Sequence, residues 1–102
     1  MYHRFGESKY PSTNITKKQF EYQLKYFKQN NYNVWPYSKI VDHIANKKSL
    51  PEKTVAITID DAYLSTYTVA YPMLKEYNYP FTVFVNTDPL DKNYKNFMTW
   101  DQ

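Results

Sequence analysis

The stretch Val55-Ala56-Ile57-Thr58-Ile59-Asp60-Asp61 decides how the chain is read, because an unbroken apolar run ends in two adjacent carboxylates. The β-branched residues and the preceding turn Leu50-Pro51-Glu52-Lys53 predict a strand over residues 54–59. Its lack of polar alternation predicts burial on both faces, as in a parallel sheet. Chemistry in open and barrel α/β folds gathers at the carboxyl ends of strands, which is where Asp60 and Asp61 fall. Like charges this close repel unless a cation or strong donor lies between them, so the pair points to a metal or a proton-transfer task. The plainer alternative is an Asp that caps the next helix.

Upstream, Tyr2-His3-Arg4-Phe5 reads as the end of a short strand, and the polar residues 6–14 with Pro11 read as a loop. Thr16 with Gln19 three residues later forms a capping box, and Ile15 and Phe20 can close a hydrophobic staple around it. Phe20, Leu24 and Phe27 then recur on one helical face, with Asn30-Asn31 as the stop. Asn14-Ile15-Thr16 also matches a glycosylation sequon, but the same Thr is the helix cap. Tyr32-Asn33-Val34-Trp35 predicts a short strand, and Ser38 a cap for a second helix carrying Ile40, Val41, His43 and Ile44. A third helix is expected within residues 64–77, with Val69, Met73 and Leu74 inward and Pro72 kinking or restarting it. Phe81-Thr82-Val83-Phe84-Val85 predicts another buried strand, followed by a loop through Asn86-Thr87-Asp88-Pro89. Strands alternating with helices predict a parallel sheet or barrel with right-handed crossovers.

At 102 residues the chain is one domain at most. Its lysines are spread along the sequence, so the net charge of +3 describes a solvated basic face and no nucleic-acid surface is expected. The absence of Cys excludes thiolate metal sites, disulfides and a Cys nucleophile. No apolar stretch approaches the roughly 20 residues of a transmembrane helix, and no signal peptide is recognisable. With a single Gly, left-handed turn positions must fall largely to Asn, for which Asn30, Asn31, Asn33 and Asn78 are available. The sequence reaches Met98-Thr99-Trp100-Asp101-Gln102 on a second capping-box pattern with no helix behind it, which predicts a truncated domain.

Taken together, Tyr2-His3-Arg4-Phe5-Gly6, Pro11-Ser12-Thr13-Asn14-Ile15-Thr16, Thr58-Ile59-Asp60-Asp61 and Pro80-Phe81-Thr82-Val83-Phe84-Val85 resemble the N-terminal half of a polysaccharide deacetylase. That family is the NodB-homology domain, carbohydrate esterase family 4, and the likeness is to its exopolysaccharide and poly-N-acetylglucosamine type. The resemblance implies a partial, distorted (β/α) barrel over residues 1–102, truncated before the second metal-binding motif. It implies Asp60 as general base, Asp61 as ligand of a divalent metal (zinc foremost, with nickel, cobalt or iron as alternatives), and His3 at the active-site mouth. Tyr63 and Trp100 are candidates for stacking on sugar rings, while His43 is expected to be structural.

The implied activity is hydrolytic removal of N-acetyl groups from an N-acetylglucosamine-type polymer at the cell envelope, outside the cytoplasm. The family's His-x-x-x-His motif is absent, so one Asp and at most one His fall short of the three protein ligands of a catalytic zinc site. Weak metal binding and inactivity of the isolated chain are expected. Ala62 stands where the family commonly has Gly, implying that the turn needs no positive φ. An open barrel edge would favour self-association. Two rival readings are a non-catalytic carbohydrate-binding remnant, and another metal-dependent hydrolase completed by a partner chain.

Overall fold

Thr16 opens the longest helix by the device its sequence encodes. Its hydroxyl accepts from the Gln19 amide at 3.0 Å, and the Gln19 side chain accepts from the Thr16 amide at 3.1 Å. Such a cap contributes on the order of 1 kcal/mol. The computed structural model describes all 102 residues. After the two-residue strands β1 (Arg4–Phe5) and β2 (Asn14–Ile15), helix α1 runs Lys17–Gln29 and ends at Asn30, with Asn31 left-handed at φ 58°. Phe20 and Leu24 are fully buried, joining Phe5, Ile57, Ile59, Ala70, Met73 and Leu74 in one core, with Ile15 packed against it as the staple requires. Each large apolar side chain buried there contributes roughly 1.5–3 kcal/mol.

Strand β3 (Asn33–Val34) pairs in parallel with β4 (Thr54–Val55), on either side of helix α2 (Tyr37–Ala45). Strand β5 (Ile57–Asp60) pairs in parallel with β6 (Phe81–Phe84), setting Asp60 opposite Phe84. Between them lie a π-helical segment (Thr66–Ala70) and helix α3 (Tyr71–Glu76); helix α4 (Thr87–Asp91) follows β6. The π-helical segment has a local cause. Pro72 has no N–H to donate and its ring crowds the carbonyl four residues back, so the helix is wide before it, with the Tyr71 amide bonding Thr66 O, and restarts at Tyr71.

The parallel α/β alternation is present, but the strands form three two-stranded pairs, of which β1–β2 and β5–β6 are linked by a parallel bridge between Tyr2 and Ile59, and no barrel closes. Several local expectations are corrected. The run 54–59 is two strands broken at Ala56, and β5 alternates: Ile57 and Ile59 are buried while Thr58 and Asp60 are half-buried. β6 is a half-buried strand: Phe81, Thr82 and Val83 are half-buried and Phe84 is 46% exposed although Tyr37 of α2 meets its ring edge-on, and Val85 just beyond the strand is 44% exposed. Helix α2 starts at Tyr37 with Pro36 at the N-cap position and no side-chain cap bond, so Ser38 lies inside the first turn instead of capping it. The residue 6–14 loop ends in β2, which pairs with β1 through backbone bonds that polar side chains do not prevent. Asn86 precedes a short helix rather than a continuing loop. Of the four Asn proposed for left-handed positions, Asn31 and Asn78 serve, while Tyr10, Lys47, Lys53, Asn93 and Asn96 supply others.

Candidate active site

Asp60 is placed by its strand. The Asp60 amide donates to Tyr2 O at 2.8 Å and the Tyr2 amide to Thr58 O at 2.9 Å, so the chain enters β1 alongside the end of β5. At His3 it changes neighbours, because the next amide, Arg4 N–H, bonds Thr13 O in the β2 direction instead. This switch carries the imidazole to the acid: His3 Nε2 lies 3.6 Å from Asp60 Oδ2, both side chains a little over one quarter exposed. The separation is ion-pair range and longer than a hydrogen bond. Asp60 and His3 therefore meet at the carboxyl end of β5, with access to solvent.

Asp61 is held differently. Its amide donates to Phe84 O at 2.8 Å, and its φ is +75°. Ala62 follows at φ +54° and is buried, so the turn does need positive φ, contrary to what the missing Gly implied. Two successive non-Gly residues in this region cost on the order of 1–2 kcal/mol each, and such strain persists only where surrounding contacts impose it. Those contacts include Met98 N–H to Ala62 O at 2.9 Å and Leu64 N–H to Asn96 O at 2.7 Å. The helix-cap reading of the acids fails, because the following helical segment begins after Ser65 with no side-chain cap bond.

A buried polar network supports the turn. Ser65 Oγ accepts from the Phe5 amide at 3.0 Å and donates to Glu7 Oε2 at 2.8 Å, while Glu7 Oε1 pairs with Arg4 Nη1 at 3.0 Å. The Glu7 amide donates to Asn14 Oδ1 at 2.9 Å, so the sequon asparagine is occupied in the loop. Arg4, Glu7 and Ser65 are not among the candidate site residues read from the sequence. The i, i+3 spacing of Arg4 and Glu7 beside His3 was the available signal. Tyr63 packs against Phe97 and lies beneath the Arg4 guanidinium, whose carbon is 3.7 Å from the ring centre. Trp100 is 58% exposed, and its indole N–H donates to Asp91 at 2.9 Å. His43 stands on α2 edge-on to Trp35, as a structural residue would.

An open hollow of about 300 Å³, lined by Met1, His3, Arg4, Ser12, Thr13 and Asn14 among others, adjoins the His3 end of the site. A larger one of about 500 Å³ lies along α1; neither hollow is lined by an Asp or Glu, and only the smaller one reaches His3. No group of three or more His, Cys, Asp or Glu side chains is arranged to hold a metal ion. Asp61, with Asp60 and His3 nearby, does not by itself make a three-ligand centre, so the residues present do not fit a complete metal site.

Fold and site thus define a parallel α/β segment that presents an acid pair and an imidazole at the end of one strand. A family model described as polysaccharide deacetylase matches residues 47–102, more than half of the sequence, and the chain belongs to that family. It is 32% identical over 94 residues to the poly-beta-1,6-N-acetyl-D-glucosamine N-deacetylase of Escherichia coli (strain K12), covering 78% of this chain and 14% of that protein. Among solved structures it is similar to IcaB from Ammonifex degensii, with 30% identity and a TM-score of 0.84, covering 98% of this chain and 43% of the other. It is also similar to the Streptococcus pyogenes deacetylase PplD in complex with acetate, with 26% identity and a TM-score of 0.83, covering 97% and 46%. The chain spans less than a third of the length of these curated relatives and less than half of these solved chains.

Proposed function

We propose that this chain carries the water-activating part of a polysaccharide deacetylase site, acting on the N-acetyl groups of an N-acetylglucosamine-type polymer outside the cytoplasm. The observation that carries this is Asp60 at the carboxyl end of β5, 3.6 Å from His3 and followed directly by Asp61 in a left-handed turn. The named activity of the E. coli relative supplies the substrate class. Asp60 takes the proton of a water that adds to the acetamide carbonyl carbon. The C–N bond then breaks as the proton taken by Asp60 passes to the leaving nitrogen, which restores the carboxylate and gives the free amine and acetate. His3 orients the Asp60 carboxylate, and Trp100 is proposed to face the polymer, whereas the Tyr63 ring is already engaged by Arg4 and Phe97. Asp61 is proposed as one ligand of a divalent metal, zinc foremost, whose other ligands come from outside these 102 residues.

Two measurements test this. The chain alone should bind zinc or nickel weakly and release no acetate from chito-oligosaccharide. Tight stoichiometric binding with turnover would refute the incompleteness of the site. Joined to the remaining part of the E. coli relative, the segment should support acetate release. There Asp60→Asn should lower the rate by roughly 10²–10⁴-fold with metal content intact, while Asp61→Asn lowers both. A folded, metal-loaded fusion whose rate ignores Asp60→Asn would overturn the assignment. The lack of a three-ligand cluster favours one alternative, a non-catalytic carbohydrate-binding unit, recognised by calorimetric sugar binding that needs no metal.

A further inference from the structure

The acid turn is gripped from a side that its own backbone does not reach. Tyr63, immediately after left-handed Asp61 and Ala62, lies beneath the Arg4 guanidinium at 3.7 Å from its ring centre. The same guanidinium lies 4.3 Å from the ring centre of Tyr10, itself left-handed at φ 59°, and pairs with Glu7 at 3.0 Å. Arg4 therefore joins three segments: β1, the loop carrying Glu7 and Tyr10, and the residue that ends the acid turn. We propose that Arg4 is a positioning residue, which clamps Tyr63 and so keeps Asp61 and Ala62 in the conformation that presents Asp60 and Asp61 side by side at the strand end. The proposal deepens the deacetylase reading and rests on it for the turn's purpose, though not for its test.

The backbone bonds from Asp61 to Phe84 and from Met98 to Ala62 fix the start of the turn, while the Tyr63 side chain is held by Phe97, 4.8 Å away between ring centres, and by the Arg4 guanidinium. Arg4 Nε is buried with no partner, so the guanidinium is held by its flat faces and by Glu7 rather than by a full set of hydrogen bonds. A planar cation is what this position uses, and a lysine ammonium has no face to stack.

The test is nuclear magnetic resonance of the 102-residue chain and of its Arg4→Lys, Arg4→Gln and Tyr63→Phe variants. One-bond Cα–Hα couplings at Asp61 and Ala62 report the sign of φ, and ¹⁵N relaxation reports order. In the parent chain and in Tyr63→Phe, which keeps the ring, order parameters at residues 61–63 should be about 0.85 with positive φ. In Arg4→Lys and Arg4→Gln they should fall below about 0.6 with averaged couplings, while residues 57–59 stay rigid. The proposal is overturned if the turn keeps its signature in Arg4→Gln, if order falls equally through β5, or if both Arg4 variants unfold, each of which leaves Arg4 at most a general structural role. Failure of the deacetylase reading would appear in the acetate assay and leave these spectra unchanged.

Discussion

Replacing Ser65 with Ala should destabilise the chain more than its small volume change suggests. Along β1 the Arg4 and Gly6 amides bond across to Thr13 and Ile15, which turns the intervening Phe5 amide away from β2, toward a side with no strand. The Ser65 hydroxyl fills that gap at 3.0 Å, and Phe5 is 1% exposed, so water does not readily replace it. A buried amide left unpaired costs about 1–3 kcal/mol, and a hydrogen bond to a charged group contributes about 1.5–3 kcal/mol. The Glu7 side chain, about one quarter exposed, can turn partly to solvent and recover most of the second amount. Alanine's better helical propensity at this αR position returns at most about 0.5 kcal/mol.

The net loss is about 2–3 kcal/mol, a large share of the roughly 5–15 kcal/mol typical of a domain. At about 4–8 °C per kcal/mol for a chain of this size, the melting temperature should fall by roughly 10–20 °C. Urea melts followed by circular dichroism measure it, with Glu7→Gln as the control that keeps the Phe5 bond. Glu7→Gln should cost about 1 kcal/mol or less. A Ser65→Ala loss below about 0.5 kcal/mol, or one equal to that of Glu7→Gln, would show that the Phe5 amide finds another partner and would refute the reasoning.

Thr16→Ala should cost on the order of 1 kcal/mol, read from the same melts, because it removes one half of the capping box on α1. Burial raises the Tyr2 phenol above its ordinary pKa of 10.0, so folding favours the protonated form: that contribution is whole below pH 10 and is lost as pH rises through the higher folded value. Denaturant midpoints between pH 9 and 11, compared with those of Tyr2→Phe, should show the extra alkaline decline only in the parent chain. The chain is also proposed to self-associate through the open β6 edge, where Phe84 and Val85 are exposed. Phe84→Lys should lower the sedimentation-derived mass if it does, and a parent chain that stays monomeric at high concentration would end the idea.

What was legible in the sequence is what local chemistry settles. The α1 start was readable because Thr16, Gln19, Ile15 and Phe20 act within one turn of each other, and all four do in the fold what their spacing requires. The core positions Phe20, Leu24, Met73 and Leu74 followed from helical period alone. The errors lie where the outcome depends on residues far apart in the chain. Residues 54–59 look like one buried strand, but β4 pairs with β3 and β5 with β6, and the switch at Ala56 is decided by those partners. The exposure of Phe84 is likewise a tertiary property, since only Tyr37 of α2 meets its ring, and no pattern within β6 records that.

The acid pair shows the division most sharply. Asp60 was placed at a strand end by the apolar run before it, and His3 was expected nearby; the 3.6 Å approach depends on the chain changing neighbours at His3, which is written in β2 and β5 rather than in β1. Ala62 argues the same point from the opposite direction. An alanine carries no local preference for positive φ, so its residue type implied an ordinary turn. It adopts φ +54° because Phe84, Asn96 and Met98 bond the backbone around it and Tyr63 is held beyond it by Arg4. A conformation imposed in this way is set by tertiary contact, and the same contacts that make it unreadable from sequence are the ones that hold the two carboxylates at the strand end.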